Sequence, residues 1–142
     1  MTTVSDIRRR SNTFVNSLDI HAVQSIEQNE EALVQLNRDQ LTESKRSDGA
    51  TIKPSYSAKY AAFKGFSSPD LMLTGSFYNQ MFLIINPSSF DYFISSNDWK
   101  TTGLVEKYTE KIFGIGKENQ IEAKNMNTIT LGKKYRKFVL HG

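Results

Sequence analysis

The chain has 142 residues, 38% of them hydrophobic, 23% charged and 11% aromatic, which fits one compact domain and excludes a wholly disordered chain. It contains no cysteine, so disulfides and thiolate metal sites are ruled out and stability must come from packing or from neighbouring subunits. The net charge of +3 is unevenly placed: six basic and seven acidic residues up to Arg46 give −1, six of each up to Gly116 cancel, and six against two from Lys117 onward give +4.

In chain order, Met1 to Val15 predicts an arm or a short helix with Val4, Ile7 and Phe14 on one side. Arg8, Arg9 and Arg10 precede a segment broken by Asn12, Asn16, Ser17 and Asp19, so no signal-peptide apolar core follows them. The longest apolar run, Met81 to Ile85, is far shorter than a membrane span, and a soluble protein is expected.

Asp19 to Lys45 is free of Gly and Pro and dense in helix formers, which predicts one long amphipathic helix with Asp19 as N-cap. Ala22, Ile26, Leu33 and Leu36 form its stripe, Leu41 lies at the margin, and Asn29 and Glu30 interrupt it. The interruption predicts a middle turn that is half exposed or faces a polar partner. Ser47-Asp48-Gly49 stops the helix, because Asp accepts a turn hydrogen bond and Gly supplies positive φ.

Ile52-Lys53-Pro54 is then extended. Ser57 is placed to cap a short helix, and Tyr56, Tyr60, Phe63 and Phe66 recur at helical spacing, a spacing that predicts a core face. After the Ser67-Ser68-Pro69 turn comes a short apolar segment, Asp70 to Leu73, closed by a Thr74-Gly75 turn. Met81 to Asn86 and Phe90 to Ser95 read as two strands of a hairpin. Leu104 to Phe113 reads as a short helix stopped by Gly114-Ile115-Gly116. From Lys117 the signals conflict: Ile121 to Met126 is mildly helical, Asn127 to Leu131 strand-like, and Lys133 to Leu140 fits either.

Little in the chain points to catalysis. Gly114-Ile115-Gly116-Lys117 lacks the glycine spacing, the Ser or Thr after the Lys and the preceding strand of a phosphate loop, and reads as a helix stop. His21 and His141 have no flanking ligand pattern, so neither a metal site nor a triad is expected. Glu27, Glu30 and Glu31, like Glu106 and Glu110, share helical faces, but no general acid stands out among them. Lys133, Lys134, Arg136 and Lys137 surround Tyr135, a basic patch suited to DNA phosphates or an acidic partner.

The most specific spacing lies between Ser47 and Pro87. Asp48, Gly49, Ile52, Pro54, Tyr56, Ser57, Tyr60, Ala61 and Lys64 are followed by Asp70, Leu71, Leu73, Thr74, Gly75, Phe77, Tyr78 and Met81. This arrangement resembles a group of small tailed-phage and prophage structural proteins, the head–tail connector and tail-completion proteins. Lys107-Tyr108 with Ile112-Phe113-Gly114 looks like a second block of the same pattern. Tail-completion members tend there to read Tyr-Ala, then His, then Phe-Gly, whereas this chain has Thr109 after Tyr108 and no His before Phe113. A portal-bound connector, a tail-tube terminator and another minor virion protein therefore stay open.

The resemblance implies an α+β subunit, with a long N-terminal helix packed on a small antiparallel sheet, further short helices and extended termini. It implies a ring at the neck of a virion made in the host cytoplasm, with copies of itself, portal, adaptor or tail proteins and traversing DNA as partners. Three regions are expected: an arm or short helix over 1–18, a core domain over 19–116 and a basic segment over 117–142. Tyr56, Asp70, Leu71, Leu73, Thr74, Gly75, Phe77 and Tyr78 are the fold-defining residues, with Leu and Phe as core and Thr-Gly as turn. No catalytic residue, metal or cofactor is expected. The rival reading is a DNA-binding or packaging accessory acting through Lys133, Lys134, Arg136 and Lys137, and a weaker one is a cell-wall hydrolase of the tail.

Overall fold

The computed structural model describes residues 1–72 and 74–142. Leu73, placed by the sequence in the fold-defining block, lies outside the described residues. The architecture is α+β, with seven α-helices and one two-stranded antiparallel sheet among those residues.

Helix α1 (Val4–Asn16) opens on a capping box, in which Thr3 Oγ1 accepts from the Asp6 amide at 3.1 Å and Asp6 Oδ2 accepts from the Thr3 amide at 2.9 Å. Over Asp19–Lys45 the structure has two helices, α2 (Leu18–Gln28) and α3 (Glu30–Thr42), where the sequence predicts one. The break falls at Asn29, whose carboxamide is drawn to the last helix of the chain: Nδ2 donates to Asn127 Oδ1 at 2.9 Å and to Thr130 Oγ1 at 3.0 Å. The polar partner expected for the middle turn is thus within the same chain. Glu30 is also engaged, since its Oε2 accepts from the Leu83 amide at 3.0 Å.

After α3, the Arg46 side chain pairs with Asp48, Asp48 Oδ1 accepts from the Ala50 amide at 3.0 Å, and Gly49 sits at φ 85°. This is the turn expected at Ser47-Asp48-Gly49. The short helix α4 (Ala58–Lys64) follows, capped by the Ser57 hydroxyl at one end and by Gly65 at φ 88° at the other. One more turn of helix, α5 (Ser76–Asn79), leads into the hairpin of β1 (Met81–Ile85) and β2 (Tyr92–Ser96). Its register runs from Met81 opposite Ser96 to Ile85 opposite Tyr92. Period-two alternation turns Met81 and Ile94 inward, against α2 and α3, and Ile84 and Phe93 outward.

The helix predicted over Leu104–Phe113 is divided at Thr109, which has φ 75°, into α6 (Thr101–Tyr108) and a 3-10 turn (Glu110–Ile112). The chain then enters α7 (Lys117–His141), a helix of 25 residues. Both termini are helical, the first as the short helix expected as the alternative to an arm and the last in place of an extended or mixed segment: α7 packs along α1 and α2 and buries Phe14 and Val139 between them. Tertiary burial there overrides weak local propensity. The main core gathers Leu33, Val34 and Leu41 of α3 with Ile52, Phe77, Ile94, Tyr108 and Ile112.

The aromatic series after Pro54 departs from expectation as well. Phe63 is 75% exposed and Phe66 45%, and α4 buries none of its seven described residues. These rings contact one another, with Tyr56 and Tyr60 edge to face at 4.7 Å and Tyr60 and Phe63 at 6.0 Å. Segment 53–69 is an arm that leaves the core at Ile52, which is fully buried, and returns at buried Pro69.

Candidate functional site

Every described residue of the fold-defining block lies at the base of this arm or in the α5 segment beside it. The Tyr56 hydroxyl donates to Asp70 Oδ1 at 2.9 Å and accepts from the amides of Asp70 and Leu71 at 3.2 and 3.3 Å. Lys64 Nζ lies 3.0 Å from Asp70 Oδ1, with both side chains nearly buried, and also donates to the Met72 carbonyl. From the core side the Tyr78 hydroxyl donates to the Asp70 carbonyl. Asp70 thus receives bonds from both ends of the arm and from the core, and ties the arm shut.

The clasp has a backbone consequence. Leu71 is held at φ 61°, a left-handed conformation that L residues rarely adopt, and its side chain is buried there. Gly75 follows at φ 83°, and Thr74 Oγ1 accepts from the Ser76 amide at 3.4 Å. This turn aims α5 inward and buries Phe77 and Tyr78. Ser96 Oγ then bonds the Phe77 carbonyl at 2.8 Å, joining the turn to β2.

Burial, assisted by the Asp70 carboxylate, pushes the Tyr56 phenol above its ordinary pKa, and burial pushes Tyr78 up to about 12. Both therefore remain protonated donors at neutral pH, opposite to the tuning of a tyrosine base or nucleophile. The cluster suits holding a shape. Between the arm and α6 lies a cleft of about 440 Å³ lined by Tyr56, Tyr60, Leu71, Phe77, Leu104 and Tyr108. Its described lining adds two cations, Lys100 and Lys107, and no carboxylate.

The basic patch is spread around α7. Lys134 turns inward and donates to Gln24 Oε1 at 2.6 Å, and the Tyr135 hydroxyl lies 2.8 Å from Ser11 Oγ. Lys133, Arg136 and Lys137 remain exposed. His21 and His141, 120 residues apart in sequence (141 − 21), line one cleft of about 330 Å³ with Lys134 and Lys137. His21 stacks on Phe14 with centroids 3.9 Å apart, and burial followed by the charge of Lys134 lowers its pKa. Among the described residues no group of three or more His, Cys, Asp or Glu is placed to hold a metal ion.

Sequence reasoning missed Asn37 and Gln40, two buried carboxamides on α3. Asn37 Nδ2 donates to the Ile112 carbonyl and its Oδ1 accepts from the Gly114 amide, both at 2.9 Å. Gln40 Nε2 donates to the Gly114 carbonyl at 2.9 Å, and its Oε1 accepts from the Gly116 amide. The amides of Gly114 and Gly116 that a phosphate would need are thereby occupied. The one signal was a pair of polar residues, three apart, on the stripe side of a helix.

No family model matches the chain, and neither does any curated protein or any solved structure. Among the described residues no helix is long and apolar enough to cross a membrane.

Proposed function

We propose that this chain is a structural subunit of a tailed-phage virion, working in a homo-oligomeric ring at the head–tail junction. The observation that carries this reading is the outer face of the hairpin, where Ile84 and Phe93 are paired across the strands yet 49% and 61% exposed. That pair is exposed apolar surface of the kind that adjoining subunits cover, and Trp99, 86% exposed after β2, is a further exposed apolar side chain. The clasp supports the same reading, because its residues give rigidity and are tuned away from chemistry. Portal, adaptor or tail proteins are the neighbours on this reading, with DNA passing through the ring and the virion as the protein's place.

The test is peptide mass spectrometry of purified, DNA-filled particles, with copy number set against the major capsid protein. A fixed low number, on the order of one or two rings, is expected. Absence from intact particles overturns the reading.

The exposure of Lys133, Arg136 and Lys137 along α7 favours a second reading, DNA contact by a packaging accessory. Truncating the segment would not test it cleanly, because buried Val139 and the Phe138 ring, 5.6 Å from Phe14, join α7 to α1. Replacing Lys133 and Arg136 together by Glu is the sounder probe. Salt-dependent duplex affinity lost with folding intact would support DNA contact, and wild-type protein without such affinity would remove it.

A further inference from the structure

We infer that the aromatic arm of one copy seats in an acidic groove of the next copy, formed by α2, β1 and the start of α3. This rests on the ring reading and names the contact by which the ring would close. The arm over 53–69 carries Lys53, Lys59 and Lys64 with four aromatic rings and no acidic residue. Lys64 is committed to Asp70, while Lys53 and Lys59 are exposed on the same arm as the exposed rings of Phe63 and Phe66. Elsewhere on the molecule lies a groove of about 500 Å³ with Val23, Leu83, Ile85 and Pro87 as apolar lining and Glu27 and Glu30 as its charges. No cation is among its described lining residues.

The two features are complementary in sign. The knob is aromatic with two exposed cations, and the groove has apolar walls with two carboxylates. Such a pairing gives orientation through its charges and affinity through the buried rings. Arm and groove are different patches of one surface, so the contact is head to tail and propagates around a ring when its rotation closes. The clasp then has a role in assembly, since a pre-shaped arm loses less conformational entropy on docking than a loose one.

The experiment uses two variants of the full chain at exposed positions. Lys59→Glu with Phe63→Asp spoils the arm and leaves the groove, whereas Glu27→Lys spoils the groove and leaves the arm. Sedimentation velocity in dilute salt is expected to show wild type self-associating and each variant alone at least about tenfold weaker. An equimolar mixture should give one-to-one dimers that grow no further, because each partner keeps one working half. That rescue also shows both variants to be folded.

Variants that assemble as well as wild type overturn the arm–groove contact and leave the ring reading standing on particle copy number. Wild type that stays monomeric at millimolar concentration overturns the contact too. An arm variant that keeps assembly but loses affinity for duplex DNA assigns the arm to nucleic acid and overturns the inference. Absence of the chain from particles, with the mixed dimer intact, removes the ring reading alone.

Discussion

Helices α3 and α4 are kept helical by different means. Six of the thirteen residues of α3 are buried, and two of these, Asn37 and Gln40, bond the loop that leads into α7. α4 has no buried residue and relies on a Ser57 cap, a left-handed Gly65 and the Tyr56–Lys64–Asp70 clasp at its base. A helix held by packing melts with the whole protein, whereas one held by caps and a few polar bonds can open by itself. The molecule therefore combines a cooperative body with an arm of separate stability, and the arm carries the exposed rings.

The largest effect is expected at the body. Leu33→Ala removes a fully buried side chain from α3 and should cost about 2–5 kcal/mol in a urea melt, with α3 and α4 amides losing hydrogen-exchange protection together. Tyr56→Phe leaves two backbone amides without their acceptor and should cost about 1–3 kcal/mol. Its sharper reading is local: α4 amides should exchange faster while α3 amides keep their protection. Equal loss in both would break the distinction.

Gly75→Val separates the two regions further. Among the described residues a Cβ there meets Asn79 Nδ2 at 3.8 Å, an ordinary contact, so the cost is that of the positive φ, about 1–2 kcal/mol. Because Gly75 aims Phe77 into the core, thermal melting should show the loss for the whole fold. An unchanged melting temperature would remove the claim that this turn needs positive φ. The smallest effect belongs to Phe63→Ser, which should leave stability within about 0.5 kcal/mol. A larger loss would mean that α4 belongs to the body after all.

The legible parts of the fold were those written in local chemistry. Asp48-Gly49 and Gly75 are turns because of what those residues do to their own backbone, and Ser57 caps α4 as its position suggests. The hairpin follows from two runs of β-branched and aromatic residues around Pro87. What stayed hidden depends on partners far along the chain. Asn29 breaks the helix because Asn127 and Thr130 receive it, and the strand-like Thr128-Ile129-Thr130 is helical because α1 and α2 hold α7 along its length.

The candidate site divides the same way. Of the residues marked by the spacing from Tyr56 to Tyr78, Tyr56, Lys64, Leu71 and Tyr78 are joined at Asp70, although the hydrogen bonds joining them carry no sequence signature. The rings of Tyr60, Phe63 and Phe66 looked like core because helical spacing records that residues share a face, and says nothing of whether the face is covered. Lys134 and Tyr135 looked like surface, and their contacts with Gln24 and Ser11 required knowing that α7 lies against the first two helices.

That last packing has a consequence for synthesis. Ser11 and Tyr135, which touch through their hydroxyls, are 124 positions apart. At about 5–20 residues per second, α1 waits roughly 6–25 s on the ribosome before its partner is made. Through that interval Phe14 and His21 lack the cover of Phe138, leaving an apolar patch open to chaperones or to neighbouring nascent chains. Completion of the α1–α2–α7 layer is thus a late step, and a subunit recognised through that layer could join its neighbours only after translation had passed α7.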